Sequence, residues 1–391
     1  MCTGPLKKIC HWGPLTALGI IKSVSFMTIH CSSMWWPPAE SVGGFLNTAV
    51  FISFSALTLY NFLSAIYEGP GFLPFHWKPW WLLQAVLEDA EFLQFCNTCD
   101  GYKAPRSHHC RKCGRCVLKM DHHCPWINNC VGHYNHAHFT AFLFWAVCGC
   151  LQASVVLTCS LYVALNRVWY LYYGDGRQHM VHLTVSTLAF CVFCLGLAIG
   201  VVLAVGMLLF FQVRAVVRNQ TGIEDWIVEK ARHRREGTNS KFIFPYNLGW
   251  KENFKQVINL SCTPVGDGVV WPVVEGCDQY TLTREQKEQK SEKRYRTRTY
   301  TALENYSGSW IPVTKGWRVL CHPPFTDECR ISLRKGDTIL VTRWRRYWLF
   351  GEKLQAQETS SSRRERGWFP RPCVVELIEG VPNYDLDDKT K

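Results

Sequence analysis

Read as a pattern of hydrophobic and polar positions, the chain has two textures. Its first 213 residues carry four apolar stretches, about Pro14–Met34, Phe45–Tyr67, Phe139–Leu165 and Leu183–Val213. Each approaches or exceeds the roughly 20 apolar residues that cross a bilayer as a helix. A core helix of a soluble protein is usually shorter and keeps a polar stripe. The second and fourth stretches show none, so the pattern predicts four transmembrane helices. Lys22 and His30 interrupt the first, and the long stem of Lys22 lets it snorkel toward the nearer interface. No small-residue cleavage site follows that stretch, so it is expected to stay as a span and not to leave as a signal peptide.

After about Val265 the texture changes. The run "TREQKEQKSEKRYRTR" is highly charged and reads as a solvated helix or linker. Beyond it lie short β-type runs, "TYTALENYSG", "DTILVTRW", "YWLFGEK" and "RGWFPRPCVVEL", whose spacing predicts a small all-β barrel. The expected division is residues 1–67 with the first two spans, a polar domain over 68–138, spans three and four over 139–213, and a juxtamembrane segment over 214–265. A charged linker over 266–294, the barrel over 295–379 and a tail over 380–391 complete it.

Charge orients the spans. The loop Ser41–Gly44 has no Lys or Arg, whereas the loop between spans two and three has Lys78, Lys103, Arg106, Arg111, Lys112, Arg115 and Lys119. Basic loops face the cytosol, which places both termini there as well. The formal net charge of +12 then reads as juxtamembrane charge facing anionic lipid. The alternative, nucleic acid as partner, does not suit a four-span chain. Twenty cysteines could mean disulfides, but most lie in spans or in cytosolic parts, where thiols stay reduced. A cluster there points to metal or catalysis.

The cluster is "CNTCDGYKAPRSHHCRKCGRCVLKMDHHCPWINNC". It offers Cys96, Cys99, His108, His109, Cys110, Cys113, Cys116, His122, His123, Cys124 and Cys130. A structural zinc takes four such ligands, so two zincs leave three candidates over. Short basic loops have no core to fold around, and zinc binding alone would explain a scaffold. The surplus suggests more. Asp121, His122 and Cys124 are an acid, an imidazole and a thiol, the parts of an activated nucleophile.

The run C-x2-C-x9-H-C-x2-C-x2-C-x4-D-H-H-C-x5-C, continued by Asn135 and Phe139, resembles the cysteine-rich domain of the DHHC protein acyltransferases. Four spans with that domain between spans two and three resemble the family layout too. The resemblance implies two interleaved structural zincs, one on Cys96, Cys99, His109 and Cys116, the other on Cys110, Cys113, His123 and Cys130. It implies that Cys124, served by His122 and Asp121, takes a fatty acyl group from an acyl-CoA such as palmitoyl-CoA or stearoyl-CoA. The group then passes to a cytosolic cysteine of a membrane-associated protein. His108 receives no role.

Two departures stand out. The family's Asp-Pro-Gly after span two is here "EGPG", Glu68 to Gly71, and its Thr-Thr-x-Glu after span four is Thr221-Gly222-Ile223-Glu224. If the second hydroxyl braces the site in relatives, another group must do so here. The later "FPYNLGWKENFKQV" resembles the family's C-terminal motif, with Asn253 at its asparagine. Family members measure acyl chains against span three, and the corresponding position is Gly149. Ala146, Gly149, Cys150 and Ala153 share one helix face. Such a face either packs helices closely or leaves a deep cavity that admits stearoyl as well as palmitoyl.

The β-type tail resembles an SH3 domain over about 295–379, with "ALENYSG", "LRKGDTILV", "YWLFG" and "GWFPRPCV" at its motifs. Its ligand ridge is depleted. Glu304 stands at the third position of the opening motif, Tyr347 at the first tryptophan position and Cys373 at the closing tyrosine position, while Tyr306 and Pro370 remain. An accessory protein is its expected partner. This combination resembles the SH3-bearing, endoplasmic-reticulum members of the family and implies that membrane. A dilysine signal is not evident, since acids precede Lys389. A non-catalytic zinc scaffold is the competing reading, and a ubiquitin ligase with interleaved zincs a weaker one. A scaffold needs His123 but has no use for His122 or Cys124.

Overall fold

The computed structural model describes residues 6–80, 92–174, 176, 179–259, 261–326, 328–354 and 365–377. The expected tail over 380–391, with Lys389, lies outside them. The chain divides into two compact units, Met1–Gln286 and Lys287–Lys391.

In the first unit a single-turn helix α1 (Leu6–Ile9) leads into α2 (Trp12–Trp35), α3 (Val42–Tyr67) and α4 (His136–Leu165). A short α5 (Arg167–Tyr173) and then α6 (Val185–Arg218) follow. Helices α2, α3, α4 and α6 are long and apolar enough to cross a membrane. Their ends differ from the apolar runs by up to five residues, because hydrogen bonds and caps end a helix, not loss of apolarity. Ser41 accepts from Gly44 N at 3.0 Å and starts α3, and Thr184 accepts from Thr187 N at 3.3 Å and starts α6. Asn219, in the left-handed region at φ 47°, stops α6. At about 1.5 Å per residue α6 is about 50 Å long, well past a hydrocarbon core of about 30 Å. Its last turns therefore reach beyond the apolar layer.

Helix α4 packs against α2, α3 and α6. Midway along it, Cys150 and Ala153 are buried with Val24, Phe51 and Ala198, so that part of the small-residue face serves close helix packing. Next to it, a Cβ built on Gly149 meets the Phe54 side chain at 3.5 Å, an ordinary contact.

Between α3 and α4 the loop forms three antiparallel hairpins. They are β1 (Gln94–Cys96) with β2 (Gly101–Lys103), β3 (His108–Cys110) with β4 (Arg115–Val117), and β5 (His122–Cys124) with β6 (Asn129–Val131). The three share one register, with Cys96 opposite Gly101, Cys110 opposite Arg115 and Cys124 opposite Asn129. Each turns through a left-handed residue at the same place, Asp100, Gly114 and Asn128.

After α6 come α7 (Gly222–Arg234), α8 (Trp250–Lys255) and α9 (Thr281–Tyr295). Of the two readings of the charged run, helix is the one found. The composition break near Val265 is not a packing break. Trp271 and Leu282 are buried with Ile227, Val228 and Tyr246.

The second unit is a five-stranded antiparallel sheet. It contains β7 (Arg298–Ala302), a one-turn α10 (Trp317–Cys321), β8 (Thr338–Trp344), β9 (Trp348–Lys353), β10 (Arg366–Pro370) and β11 (Val374–Glu376), in the order β10-β9-β8-β7-β11. Its core holds Tyr306, Leu333, Ile339, Val341, Trp348 and Trp368. Of the expected ridge positions, Tyr306, Pro370 and Cys373 are buried, while Glu304 is exposed and paired with Lys315 at 2.7 Å.

Candidate active site and metal centres

Strand alternation sorts the ligands. Successive side chains of a strand point to opposite faces. His109 stands across from Cys116 in one hairpin and His123 across from Cys130 in the next. The turn of the first hairpin brings Cys96 and Cys99 to His109 and Cys116, and the turn of the second brings Cys110 and Cys113 to His123 and Cys130. His109 Nδ1 lies 3.3 Å from Cys99 Sγ, 3.5 Å from Cys96 Sγ and 3.9 Å from Cys116 Sγ. His123 Nδ1 lies 3.4 Å from Cys113, 3.6 Å from Cys130 and 3.7 Å from Cys110. With metal–sulfur bonds near 2.3 Å and metal–nitrogen bonds near 2.0 Å, a tetrahedral site has edges of about 3.5–3.8 Å. Both clusters fit a four-coordinate ion of the zinc type, and they are metal-binding clusters.

The same alternation puts His122 and Cys124 on the face of β5 opposite His123. The third hairpin repeats the turn of the first two with one change. Where Cys99 and Cys113 complete a thiol pair, Ile127 stands instead, fully buried in an apolar cluster with Cys124, Phe62, Ile66 and Phe139. Cys124 thus occupies a metal-type turn that lacks the second thiol. It is itself 4% exposed and lies against the ends of α2, α3 and α4. Gly13 of α2 permits this approach, since a Cβ there would collide with the Pro125 carbonyl.

His122 Nδ1 donates to Asp121 Oδ2 at 2.7 Å. Burial opposes charge on both groups. Bonds with His122 and with Gly222 N–H nevertheless hold the Asp121 carboxyl well below the usual range. Hydrogen bonds to Asp121 and Cys124 raise His122 to about 9. An imidazole that keeps its proton so firmly takes one readily from a thiol, whose ordinary value is near 8.5. Phe139 meets the His122 ring edge-on at 5.4 Å.

At the position without the threonine hydroxyl, the backbone reaches the site. Gly222 N–H donates to Asp121 Oδ1 at 2.6 Å. Thr221 and Glu224 form a capping box at the start of α7, Thr221 Oγ1 accepting from Glu224 N at 3.3 Å and Glu224 Oε2 from Thr221 N at 2.9 Å. Asn253, fully buried, donates to the Val217 carbonyl at 2.8 Å and accepts from Leu248 N at 3.0 Å. It ties α8 to the end of α6. Glu68, in the altered motif after α3, pairs with His138 Nε2 at 3.0 Å.

Two of the cations expected to face lipid do not. Lys119 is 2% exposed, and burial pushes its ammonium well below its usual value. Arg106 is held between the rings of Tyr246 and Trp271, 4.3 and 4.6 Å from their centroids. It donates to both Glu224 oxygens at 2.6 and 2.7 Å and to the side chain and carbonyl of Asn219 at 3.1 and 2.7 Å. This ion pair, with both side chains at 0% exposure, clamps the cysteine-rich loop to α7. Arg106→Met strands Glu224 and should cost about 3–5 kcal/mol, seen as a lower urea midpoint. Adding Glu224→Gln should recover part of the loss, because the orphaned charge is gone. An unchanged midpoint in Arg106→Met would refute the clamp.

Sequence reasoning also missed Gln212, which donates through Nε2 to Asp121 Oδ2 at 3.0 Å, and His136, whose Nε2 lies 3.0 Å from Gln212 Oε1. A lone amide at the end of an apolar run was the available signal for Gln212.

A family model described as DHHC palmitoyltransferase matches residues 89–229. The chain is 47% identical over 384 residues to Palmitoyltransferase ZDHHC6 of Mus musculus, covering 94% of this chain and 92% of the relative. It is 44% identical over 400 residues to Palmitoyltransferase ZDHHC6 of Danio rerio, covering 99% and 96%. It is 31% identical over 250 residues to Probable protein S-acyltransferase 16 of Arabidopsis thaliana, covering 61% and 82%. A likeness that runs through the spans, the hairpins and, in the animal relatives, the C-terminal sheet makes one conclusion plain: the chain belongs to the DHHC palmitoyltransferase family.

Proposed function

We propose that this protein S-acyltransferase works through an acyl-Cys124 intermediate. The observation that carries the reading is the chain Asp121–His122–Cys124, set against the cluster where α2, α3 and α4 meet. His122 takes the thiol proton, and Asp121 stabilises the imidazolium. The Cys124 thiolate attacks the thioester carbonyl of a fatty acyl-CoA. A carbon–sulfur bond forms, the bond to the CoA sulfur breaks, and the departing thiolate takes the proton from His122. A substrate cysteine then gives its proton to His122 and attacks the acyl carbonyl, the acyl bond to Cys124 Sγ breaks, and the departing Cys124 thiolate takes the proton back from His122. A covalent intermediate divides one hard transfer into two easier ones.

Zinc on Cys96, Cys99, His109 and Cys116, and on Cys110, Cys113, His123 and Cys130, would supply rigidity, fixing the hairpins so that the thiol meets the bilayer surface. The basic loop supports a cytosolic face with both termini on that side, where membrane-associated proteins present their cysteines. The resemblance to the SH3-bearing, endoplasmic-reticulum members of the family supports that membrane, and the C-terminal sheet is read as an SH3-like unit for an accessory protein.

The test is incubation of the full chain with alkyne-labelled palmitoyl-CoA. The label should map to Cys124 and leave with hydroxylamine, as a thioester does. Label that resists hydroxylamine, or that maps elsewhere, would remove this mechanism.

The acyl chain is expected to lie among the spans, reaching Gly149. Gly149→Phe should shift preference from palmitoyl toward shorter chains. Losing room for two methylenes at about 0.8 kcal/mol each changes selection by about tenfold. Competition between acyl-CoAs of different length, scored by the mass of the group on Cys124, decides it. An unchanged profile would mean that Gly149, like Cys150 and Ala153, only packs helices.

A further inference from the structure

We propose that Gln212 and His136 are positioning residues that hold Asp121, and through it His122, in the proton arrangement the nucleophile needs, a reading that rests on Cys124 being the nucleophile. The bonds converge on a buried carboxylate. Asp121 accepts from Gly222 N–H at 2.6 Å, from Gln212 Nε2 at 3.0 Å and from His122 Nδ1 at 2.7 Å. A carboxylate can only accept. The nitrogen end of the Gln212 amide must therefore face it, which turns Gln212 Oε1 toward His136 Nε2 at 3.0 Å. An amide oxygen only accepts, so His136 must carry its proton on Nε2.

His136 Nδ1 is then a buried acceptor without a hydrogen-bond partner among the described residues. Native proteins rarely leave such a group, and a ring without nitrogen would fill the space with no orphan. The one thing His136 offers that an apolar ring does not is the Nε2–H on Gln212. Without it Gln212 Oε1 has no donor, and the amide is anchored at its nitrogen end alone and is freer to swing off the carboxylate. Asp121 would then lose a donor, and the His122 ring it orients would lose its fixed aim. His136 opens α4 and Gln212 stands near the end of α6, so the bond between them joins the two helices beside the carboxylate that serves the nucleophile.

The experiment uses the full chain in lipid nanodiscs, with self-acylation by labelled palmitoyl-CoA as the readout. Gln212→Met, similar in size but without a donor, should lower kcat by about tenfold to a hundredfold, the scale expected for a misaimed catalytic group. KM for palmitoyl-CoA and zinc content should stay as in the parent. His136→Leu should lower kcat as well, and the double variant should be no slower than Gln212→Met, because His136 acts only through Gln212. His136→Gln, which restores an N–H, should recover most of the rate lost in His136→Leu. Losses that multiply in the double variant, an unchanged kcat in Gln212→Met, or loss of zinc in either single variant would each overturn the proposal. If the parent carries no label on Cys124, the mechanism itself fails. If the label is on Cys124 and the losses multiply, only the positioning role fails.

Discussion

Cys124→Ser should lose hydroxylamine-sensitive self-acylation, by at least about a thousandfold, while the protein should keep the zinc content of the parent. The exchange is nearly isosteric, so the buried cluster of Cys124, Ile127 and Phe139 has no large cavity to repair. What changes is acidity. A hydroxyl is far harder to deprotonate than a thiol. Neither metal cluster includes Cys124, so metal analysis separates a lost nucleophile from a lost fold. Full hydroxylamine-sensitive labelling of the serine variant would sink the assignment.

The second large effect divides neighbouring histidines. His122→Ala should keep both zincs and lose self-acylation by at least about a hundredfold, the scale of a removed general base. His123→Ala should lose zinc and destabilise the hairpins, because structural zinc contributes its binding free energy to folding. The physical ground is that β5 turns His123 toward Cys110, Cys113 and Cys130 and leaves His122 with Asp121 on the other face. Both proteins would be purified and assayed for metal and for label. Equal zinc loss in the two would refute the division.

The four long helices were legible because lipid demands apolar length, and the eight clustered ligands fit a family pattern carried by spacing alone. Local chemistry of this kind is written in neighbouring residues. The support of Asp121 was not legible, because it comes from far along the chain. Gln212 lies 91 positions away and Gly222 lies 101 positions away, and in Gly222 the working group is a backbone N–H that no side-chain motif records. Arg106 misled for a different reason. A cation in a basic loop reads as surface charge, and only the folded chain brings Glu224, Asn219, Tyr246 and Trp271 around it. The apolar runs marked where lipid contact is needed, but not the caps at Ser41, Thr184 and Asn219 that set the helix ends.

The third hairpin also bears on how the Cys124 thiol is kept apart from the two metal-binding clusters. Any ion loose in that loop meets Cys124 in a turn shaped like its neighbours', yet finds one sulfur where they offer two. Chelation needs a partner, and Ile127 supplies a hydrocarbon wall. The side chain three residues after Cys124 therefore leaves the third hairpin's thiol without the chelating neighbour that the other two turns supply.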